Sequence, residues 1–364
     1  MGYEIDFLPV GEESKGGDAI AIRFGNLRGV RAEQTVMVID GGYTDCGDAL
    51  VEHIKKYYAT DRIDIVVSTH TDQDHICGLK TVLETMHVSQ LLMHLPWEHS
   101  AEMERARTSE SWREKLNDPA RRMLEAAMEL EAIARERGVG VVEPFAGVGS
   151  KDGIFSVLGP SETYYEQLLT ELVAQTAKSV AQLAYESAMR KLLEAGKKLV
   201  PETWLHETLR DDGTTTPTNN ASVVSLLEAD GRKMLLTGDA GIPALTRVLD
   251  GLEENGFSPG DLPFVQVPHH GSRNNVGPTM LDRLLGPPAE DIRRGIACVS
   301  APKKNPDNRH PAKKVTNAFL RRGYPVYATQ SASLQYSHDA PARSGNRPAQ
   351  SLPFHPVVED DGGA

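Results

Sequence analysis

Two histidines and two aspartates lie within six residues of the chain: His70, Asp72, Asp74 and His75. This cluster follows a nearly continuous apolar run at 63–68, which predicts a buried strand, and it precedes a predicted helix. Side chains at such a turn can converge on one small volume, the first two facing one cation and the last two a second. The simpler alternative is a polar turn in which one aspartate caps the helix.

Other polar residues stand where predicted strands end. Asp40 ends the run TVMVID and Asp239 ends KMLLTGD, while His269 and His270 follow FVQVP. Strand ends are where a folded sheet can assemble a site from distant parts of the chain. A single aspartate there is typical of a turn, but three such ends together with the 70–75 cluster favour one shared site.

The elements that would position these residues are mostly short strands. Apolar, β-branched runs predict strands at 4–8, 19–24, 35–39, 63–68, 90–95, 154–158, 264–267 and 295–300, with a further pair near 326–336. The Asp-Gly pair at 230–231 predicts a hairpin. Helical spacing at 100–137 and 164–199 predicts two helical insertions, which could form a lid, a dimer surface or a solvated hairpin. Shorter helices are expected at 242–255 and 312–322.

The composition is that of an ordinary globular chain, with 364 residues, 40% hydrophobic and 25% charged. A net charge of −12 argues against a general polyanion binder, because phosphate contacts need concentrated Lys and Arg. The chain has no apolar run of membrane-spanning length and no secretory signal pattern at its start. Three scattered cysteines argue against a disulfide framework and a thiolate zinc site, so a cytoplasmic location is expected.

The HTDQDH segment resembles the HxHxDH signature of the metallo-β-lactamase fold, with Asp72 in place of the second histidine. With GGDAIAIRF, VIDGG, NNASVVSLLEADGRKMLLTGD, VPHHGS and NRHP, it resembles the metallo-β-lactamase domain of ComEC-type DNA-uptake competence proteins. The match covers about 1–95, 150–160 and 219–338. It implies an α/β fold, specifically an αββα sandwich.

The domain organisation follows from the same match. One domain would occupy 1–338, interrupted by helical insertions at about 97–140 and 161–217. The segment 339–364 is rich in Pro, Gly and Ser, which predicts a disordered tail.

The resemblance implies a site for two divalent metal ions, zinc or manganese. His70 and Asp72 would bind the first ion, Asp74 and His75 the second, and Asp239 would bridge them. The site would contain carboxylates and imidazoles but no thiolate, and an aspartate in place of a histidine favours manganese.

The remaining implied ligand is His270, with His269 as the alternative, and Asp40 would orient a ligand histidine from behind. The chain departs from the family at Asn219 and Asn220, where many members have a histidine. The first ion would therefore lack one imidazole. These two amides are candidates for supporting the ligands or contacting the substrate.

The implied activity is metal-dependent hydrolysis, with a phosphodiesterase or nuclease favoured. A hydroxide activated by two ions about 3.5–4 Å apart would attack phosphorus. Asp74 and Asp239 would orient it, and His310 would protonate the leaving oxygen. Lys303 and Arg309 lie in the same loop as His310 and would bind phosphates of a nucleic acid or nucleotide, or else form solvated surface.

Two alternatives remain open on the sequence alone. The same metal site could hydrolyse a small ester, thioester or lactam, because the superfamily supports many hydrolases. Alternatively, the fold could serve as a non-catalytic module whose helical insertions bind a protein partner or a second copy. The chain carries no membrane channel, so a role in DNA import does not follow from the resemblance.

Overall fold

The computed structural model describes residues 1–10, 16–174, 199–302, 310–330, 332–343 and 348–359. The larger of its two main sheets has seven strands. In hydrogen-bonding order they are β14 (Leu334–His338), β1 (Gly2–Phe7), β2 (Ala19–Gly25), β3 (Gln34–Gly41), β4 (Arg62–Val67), β5 (His87–Leu92) and β6 (Gly140–Val142). The last four run parallel, so their carboxyl ends lie at one edge of the sheet.

The second sheet has six strands. In order they are β13 (Val326–Ala328), β12 (Ile296–Val299), β11 (Phe264–Gln266), β10 (Arg232–Leu236), β9 (Val224–Ala229) and β7 (Phe155–Gly159). The strands from β10 to β13 are parallel. The hairpin between β9 and β10 turns at Asp230 and Gly231 with φ of 54° and 68°, which confirms the predicted Asp-Gly turn.

Helices follow most of the strands. They are α1 (Thr44–His53), α2 (Gln73–Thr85), α3 (Ala101–Thr108), α4 (Glu110–Arg113), α5 (Asp118–Glu136), α6 (Glu162–Ala174), α7 (Pro217–Asn220), α8 (Ile242–Glu254), α9 (Pro278–Leu285) and α10 (Lys313–Arg321). A π-helical turn at Ile54–Tyr58 extends α1. In the described part of the chain, no helix combines the length and apolar character needed to cross a membrane.

Alternation along the strands divides the core into separate layers. In β2, Ile20, Ile22 and Phe24 belong to the core between the two sheets, whereas Ala19 and Ala21 face the helices. The helices α1 and α2 cover the first sheet, and α8 and α10 contact the second. The order helix, sheet, sheet, helix confirms the predicted α/β fold, an αββα sandwich.

Close packing of two glycines holds α2 against the end of β3. A Cβ on Gly41 would overlap the backbone at Leu79, and a Cβ on Gly78 would overlap the carbonyl of Gly41. The helix can therefore approach the strand at this point only because both residues lack side chains. This contact brings the first turn of α2 next to Asp40.

The predicted insertions contribute helices on one side of the sandwich. The helices α3, α4 and α5 lie within 97–140, and α6 lies within 161–217. Of the second insertion, 175–198 falls outside the described residues. The helix α5 packs against α2 and α6, so the insertions border the strand ends that carry the predicted site.

The described parts of the segment 339–364 lie against the domain. The Arg343 guanidinium donates to both buried carboxylates of β1, at 2.8 Å from Asp6 Oδ1 and 2.9 Å from Glu4 Oε2. Further on, β15 (Val357–Glu359) pairs antiparallel with β8 (Leu199–Pro201). Folded structure thus extends beyond the predicted boundary at residue 338, because ion pairs and strand pairing hold a segment that has few apolar residues.

Candidate metal centre

The cluster at 70–75 forms the turn between β4 and α2, as the sequence predicts. His70 lies in the loop after β4, and His75 lies in the first turn of α2. Asp72 occupies the N-cap position, but its side chain makes no capping hydrogen bond. Its Oδ2 atom lies 3.7 Å from His70 Nε2 instead. The cluster is therefore directed away from the helix backbone, and the simpler reading as a helix cap does not explain it.

Asp239, His269 and His270 meet this turn from the second sheet. Asp239 follows β10, and the two histidines follow β11. His269 and His270 both have positive φ, at 47° and 53°, and so does Asp40 at 55°. Such backbone conformations are unfavourable for residues other than glycine and concentrate at functional sites.

The Asp239 carboxylate lies at the centre of four imidazole rings. Its Oδ2 atom is 3.8 Å from His70 Nε2, 3.4 Å from His75 Nε2 and 3.5 Å from His269 Nε2. Its Oδ1 atom is 3.7 Å from His270 Nε2. Asp239 is only 2% exposed, so one buried carboxylate is shared by four ring nitrogens contributed by both sheets.

Further carboxylate and imidazole atoms lie around Asp239. Asp74, His75 and His270 each offer an atom within 4.8 Å of the others. Asp74 Oδ2 lies 3.7 Å from His270 Nε2 and 4.0 Å from His75 Nε2. His70 Nε2 lies near Asp72 as well as near Asp239, and His269 Nε2 lies near Asp239. This set of imidazole and carboxylate atoms can hold divalent metal ions.

Several buried polar atoms in this cluster have no hydrogen-bond partner among the described residues. They are the Nε2 atoms of His70, His75 and His270 and the Oδ1 atom of Asp239. Buried polar groups are rarely left unsatisfied, and a bound ion is one of the standard explanations. The imidazole and carboxylate donors match those that zinc and manganese accept, so the residues fit divalent metal ions.

The electrostatics of the cluster also favour a bound positive charge. Burial by itself would lower the pKa of His75, but Asp239 and Asp40 raise it well above its usual value. Burial likewise opposes protonation of His270, yet Asp239, Asp74 and Asp18 raise its pKa to about 9. The excess of carboxylates therefore draws positive charge to these imidazoles, whether as protons or as metal ions.

Hydrogen bonds at the Nδ1 atoms of His75 and His70 determine which ring nitrogen each histidine directs towards Asp239. His75 Nδ1 donates to Asp40 Oδ2 at 2.8 Å. The Thr69 hydroxyl donates to the same carboxylate oxygen at 2.6 Å, so its own oxygen can accept from His70 Nδ1 at 3.0 Å. Both rings consequently direct a lone pair on Nε2 towards Asp239. Asp40 thus lies on the Nδ1 side of the His75 ring, opposite Nε2.

Asn275 contacts both His269 and Asp239. The Asn275 amide nitrogen donates to the Asp239 carbonyl at 2.8 Å, so its Oδ1 faces His269 Nδ1 at 3.0 Å. The Nε2 atom of His269 lies 3.5 Å from Asp239 Oδ2. Asn219 lies beside the same ring, with Nδ2 3.1 Å from Nδ1.

Replacing Asp40 with Asn should weaken metal binding without unfolding the protein. Asn has one acceptor oxygen, so it cannot accept from His75 and from both donors of Thr69 at once. Loss of such a supporting contact typically reduces metal affinity by about 10–100-fold. The measurement is a competition titration with a chromophoric chelator. Asp61→Asn is the matched control, because it alters an exposed Asp–His pair, Asp61 with His87, and should leave affinity unchanged.

Two adjacent histidines, His269 and His270, were candidates for one ligand position. From the sequence, His269 is the alternative to His270, but in the structure both Nε2 atoms lie within 4 Å of Asp239. His269 Nε2 faces Asp239 Oδ2, the oxygen that His70 and His75 also face. It can therefore supply the imidazole that Asn219 does not. Asn220 points elsewhere, with its Oδ1 beside Gly241.

The predicted catalytic loop is only partly described. The His310 ring stacks on that of His269, with centroids 6.0 Å apart, so it lies at the rim of the cluster. Lys303 and Arg309 fall outside the described residues.

One buried acidic residue of the site was not anticipated. Asp18 precedes β2 and offers an oxygen within 4.8 Å of ligand atoms of His75 and Asp239. Gln266 donates to its Oδ2 at 2.8 Å. Burial raises the pKa of Asp18. The only sequence signal for it is its place in the GGDAIAIRF run, where a single aspartate before a strand is typical of a turn.

No protein-family model matches the chain, and no curated protein matches it. Among solved structures, it is similar to a Thermotoga maritima protein described as a metallo-beta-lactamase. The two share 12% sequence identity, the match covers 70% of this chain and 93% of that chain, and the TM-score is 0.36. The resemblance to ComEC-type proteins therefore stays a prediction, and the choice of reaction depends on the geometry of the site.

Proposed function

We propose that the protein is a metal-dependent hydrolase that cleaves phosphodiester bonds. The observation that carries this proposal is the set of four imidazole nitrogens around the buried Asp239 carboxylate, together with the carboxylates of Asp72 and Asp74 beside them. Two divalent ions held by these residues would acidify a shared water and neutralise charge on the attacked group. A pair of divalent ions suits phosphodiester cleavage, because both the attacking oxygen and the leaving oxygen carry negative charge that needs stabilisation.

The side chains of this protein would prepare the site for that chemistry. Asp40 and Thr69 hold the imidazoles of His75 and His70 with their Nδ1 protons directed away from the site. Asp74 is less buried than Asp239, and it lines the adjoining cleft, where it can orient a water as substrate enters. His310, at the rim, is placed to hold a proton for the leaving oxygen.

The position of His269 bears on the non-catalytic alternative. That reading drew its support from the missing imidazole at Asn219. Because His269 faces Asp239 from the side on which Asn219 stands, the ligand set for a first ion has two histidines. The geometry therefore supports a hydrolase better than a metal-free module.

A substrate panel on the metal-loaded protein tests the proposal. We expect hydrolysis of bis(p-nitrophenyl) phosphate with manganese or zinc, loss of activity with EDTA, and little hydrolysis of p-nitrophenyl acetate. Asp74→Ala should reduce kcat by about 10²-fold or more, because it removes both a ligand and an orienting group. Asp250→Ala, on the exposed face of α8, is the control. Turnover of the acetate alone would favour the ester alternative, and inertness towards both would contradict hydrolysis.

A further inference from the structure

A cleft of about 590 Å³ opens beside the metal cluster. Asp72 and Asp74 line it at one end, and the helix α5 of the first insertion forms part of its wall. Thr216 and the start of α7 line another side. Its volume lies in the range of pockets that enclose a small-molecule ligand. The first insertion thus builds a wall of the cleft through which a substrate would reach Asp74.

Arg122 is the cation in this cleft that has no partner. Its side chain is exposed and makes no hydrogen bond or ion pair with any residue that the structure describes. The other basic residue of the lining, Lys80, is already paired with Glu129, with Nζ 2.5 Å from Oε2. Arg121, the residue before Arg122, is also paired, with Nη2 2.7 Å from Asp118 Oδ1. Arg122 is therefore available for an anion in the cleft.

The charge of the lining limits what can bind. Four carboxylates line the cleft against two cations: Asp72, Asp74, Glu125 and Glu129 against Lys80 and Arg122. The metal-free cleft therefore carries a net charge of −2, and two divalent ions would change this to +2. An anionic substrate should consequently bind to the metal-loaded protein and be repelled by the metal-free one.

The wall contributed by α5 also disfavours a long polynucleotide. Glu125 and Glu129 present carboxylates on this wall, whereas a polymer track needs a series of Lys and Arg along its phosphates. One unpaired arginine suits one additional phosphate. The cleft therefore favours a small substrate with one scissile phosphodiester and one further phosphate group.

On the basis of the proposed function, we infer that the substrate is a small phosphodiester carrying a second phosphate, of the size of a dinucleotide. The scissile group would lie at the Asp72 and Asp74 end, and Arg122 would bind the second phosphate. Guanidinium is well suited to this task, because its planar donors match two phosphate oxygens.

The test compares the 5′-phosphorylated dinucleotide pApA with unphosphorylated ApA. We expect Arg122→Gln to raise KM for pApA by about 10-fold and to leave KM for ApA unchanged, since only pApA carries the second phosphate. Arg121→Gln is the matched control on the same helix and should change neither value. A long single-stranded oligonucleotide should be a poorer substrate than pApA.

Calorimetry gives a readout that does not depend on turnover. Adenosine 3′,5′-bisphosphate, which carries two phosphate groups, should bind the manganese-loaded protein, bind about 10-fold more weakly to Arg122→Gln, and not bind after EDTA treatment. Two results would contradict the role of Arg122. In the first, Arg122→Gln raises KM for pApA and for ApA by the same factor. In the second, it changes neither KM value and leaves the affinity for the nucleotide unchanged. The proposed function would still stand if bis(p-nitrophenyl) phosphate is hydrolysed, and it would fall separately if that compound is not.

Discussion

Replacing Asp239 with Asn should abolish metal binding at both positions and reduce phosphodiester hydrolysis by about 10³-fold or more, equivalent to about 4 kcal/mol of transition-state stabilisation. The reason is its central place: its two oxygens face four imidazole nitrogens, at 3.4–3.8 Å. Asn offers one oxygen and directs an NH₂ group at the remaining rings. The measurements are metal content by elemental analysis and kcat with bis(p-nitrophenyl) phosphate.

The matched control for Asp239→Asn is Asp250→Asn, which makes the same change in an exposed ion pair with Arg283. Metal content and kcat should be unchanged in this control. A circular dichroism spectrum like that of the unmodified protein would show that Asp239→Asn still folds. An Asp239→Asn protein that retained two metal ions and full activity would contradict the role of this residue as the shared ligand.

The largest loss of stability is expected from Arg321→Met. This guanidinium is 1% exposed, and its Nη1 lies 2.5 Å from Oε1 of Glu202, which is also fully buried. Its other donors reach three backbone carbonyl groups, those of Thr203, Trp204 and His206. Methionine fills similar space but leaves the Glu202 charge buried without its partner, which typically costs about 3–5 kcal/mol. Urea unfolding should report this as a fall in the free energy of unfolding.

Two further variants check the cause of that loss. Arg283→Met removes a half-buried arginine on the surface that pairs with the exposed carboxylates of Asp250 and Glu253, and it should cost less than about 1 kcal/mol. The double variant Arg321→Met with Glu202→Met removes both buried charges and should recover part of the stability. A loss below about 1 kcal/mol for Arg321→Met alone would show that Glu202 finds another partner or becomes protonated at little cost.

Much of the fold could be predicted from the sequence because its strands show either alternating apolar and polar residues or short continuous apolar runs. The buried strand before His70 and the Asp-Gly hairpin are local patterns, and the structure contains both. The polar residues at the end of β3 and after β4, β10 and β11 come together for a general reason: within each sheet, parallel strands place their carboxyl ends at a common edge. Asp40, His70 and Asp239 could therefore be placed in one cluster before any coordinates were known.

Other features of the site depend on conformations that sequence patterns do not show. The resemblance of VPHHGS to the family motif implied His270 as the ligand, with His269 only as the alternative. Their positive φ values turn both rings towards Asp239. Asp18 was missed because a lone aspartate before a strand usually belongs to a turn.

The C-terminal segment shows that composition alone does not decide whether a segment is ordered. Few apolar residues predict disorder because a chain must bury apolar surface to offset its loss of conformational entropy. Here the Arg343 guanidinium instead pairs with Glu4 and Asp6, and β15 pairs with β8. Such long-range ion pairs and strand pairings leave no local periodic signal.

Anomalous X-ray diffraction from crystals of the manganese-loaded protein would test the central claim most directly. Two anomalous peaks are predicted, both in contact with the Asp239 carboxylate. One should lie at coordination distance, about 2.0–2.3 Å, from His70 and His269, and the other at the same distance from Asp74 and His270. Crystals in which these side chains diverge, with no peak touching Asp239, would contradict the two-metal account.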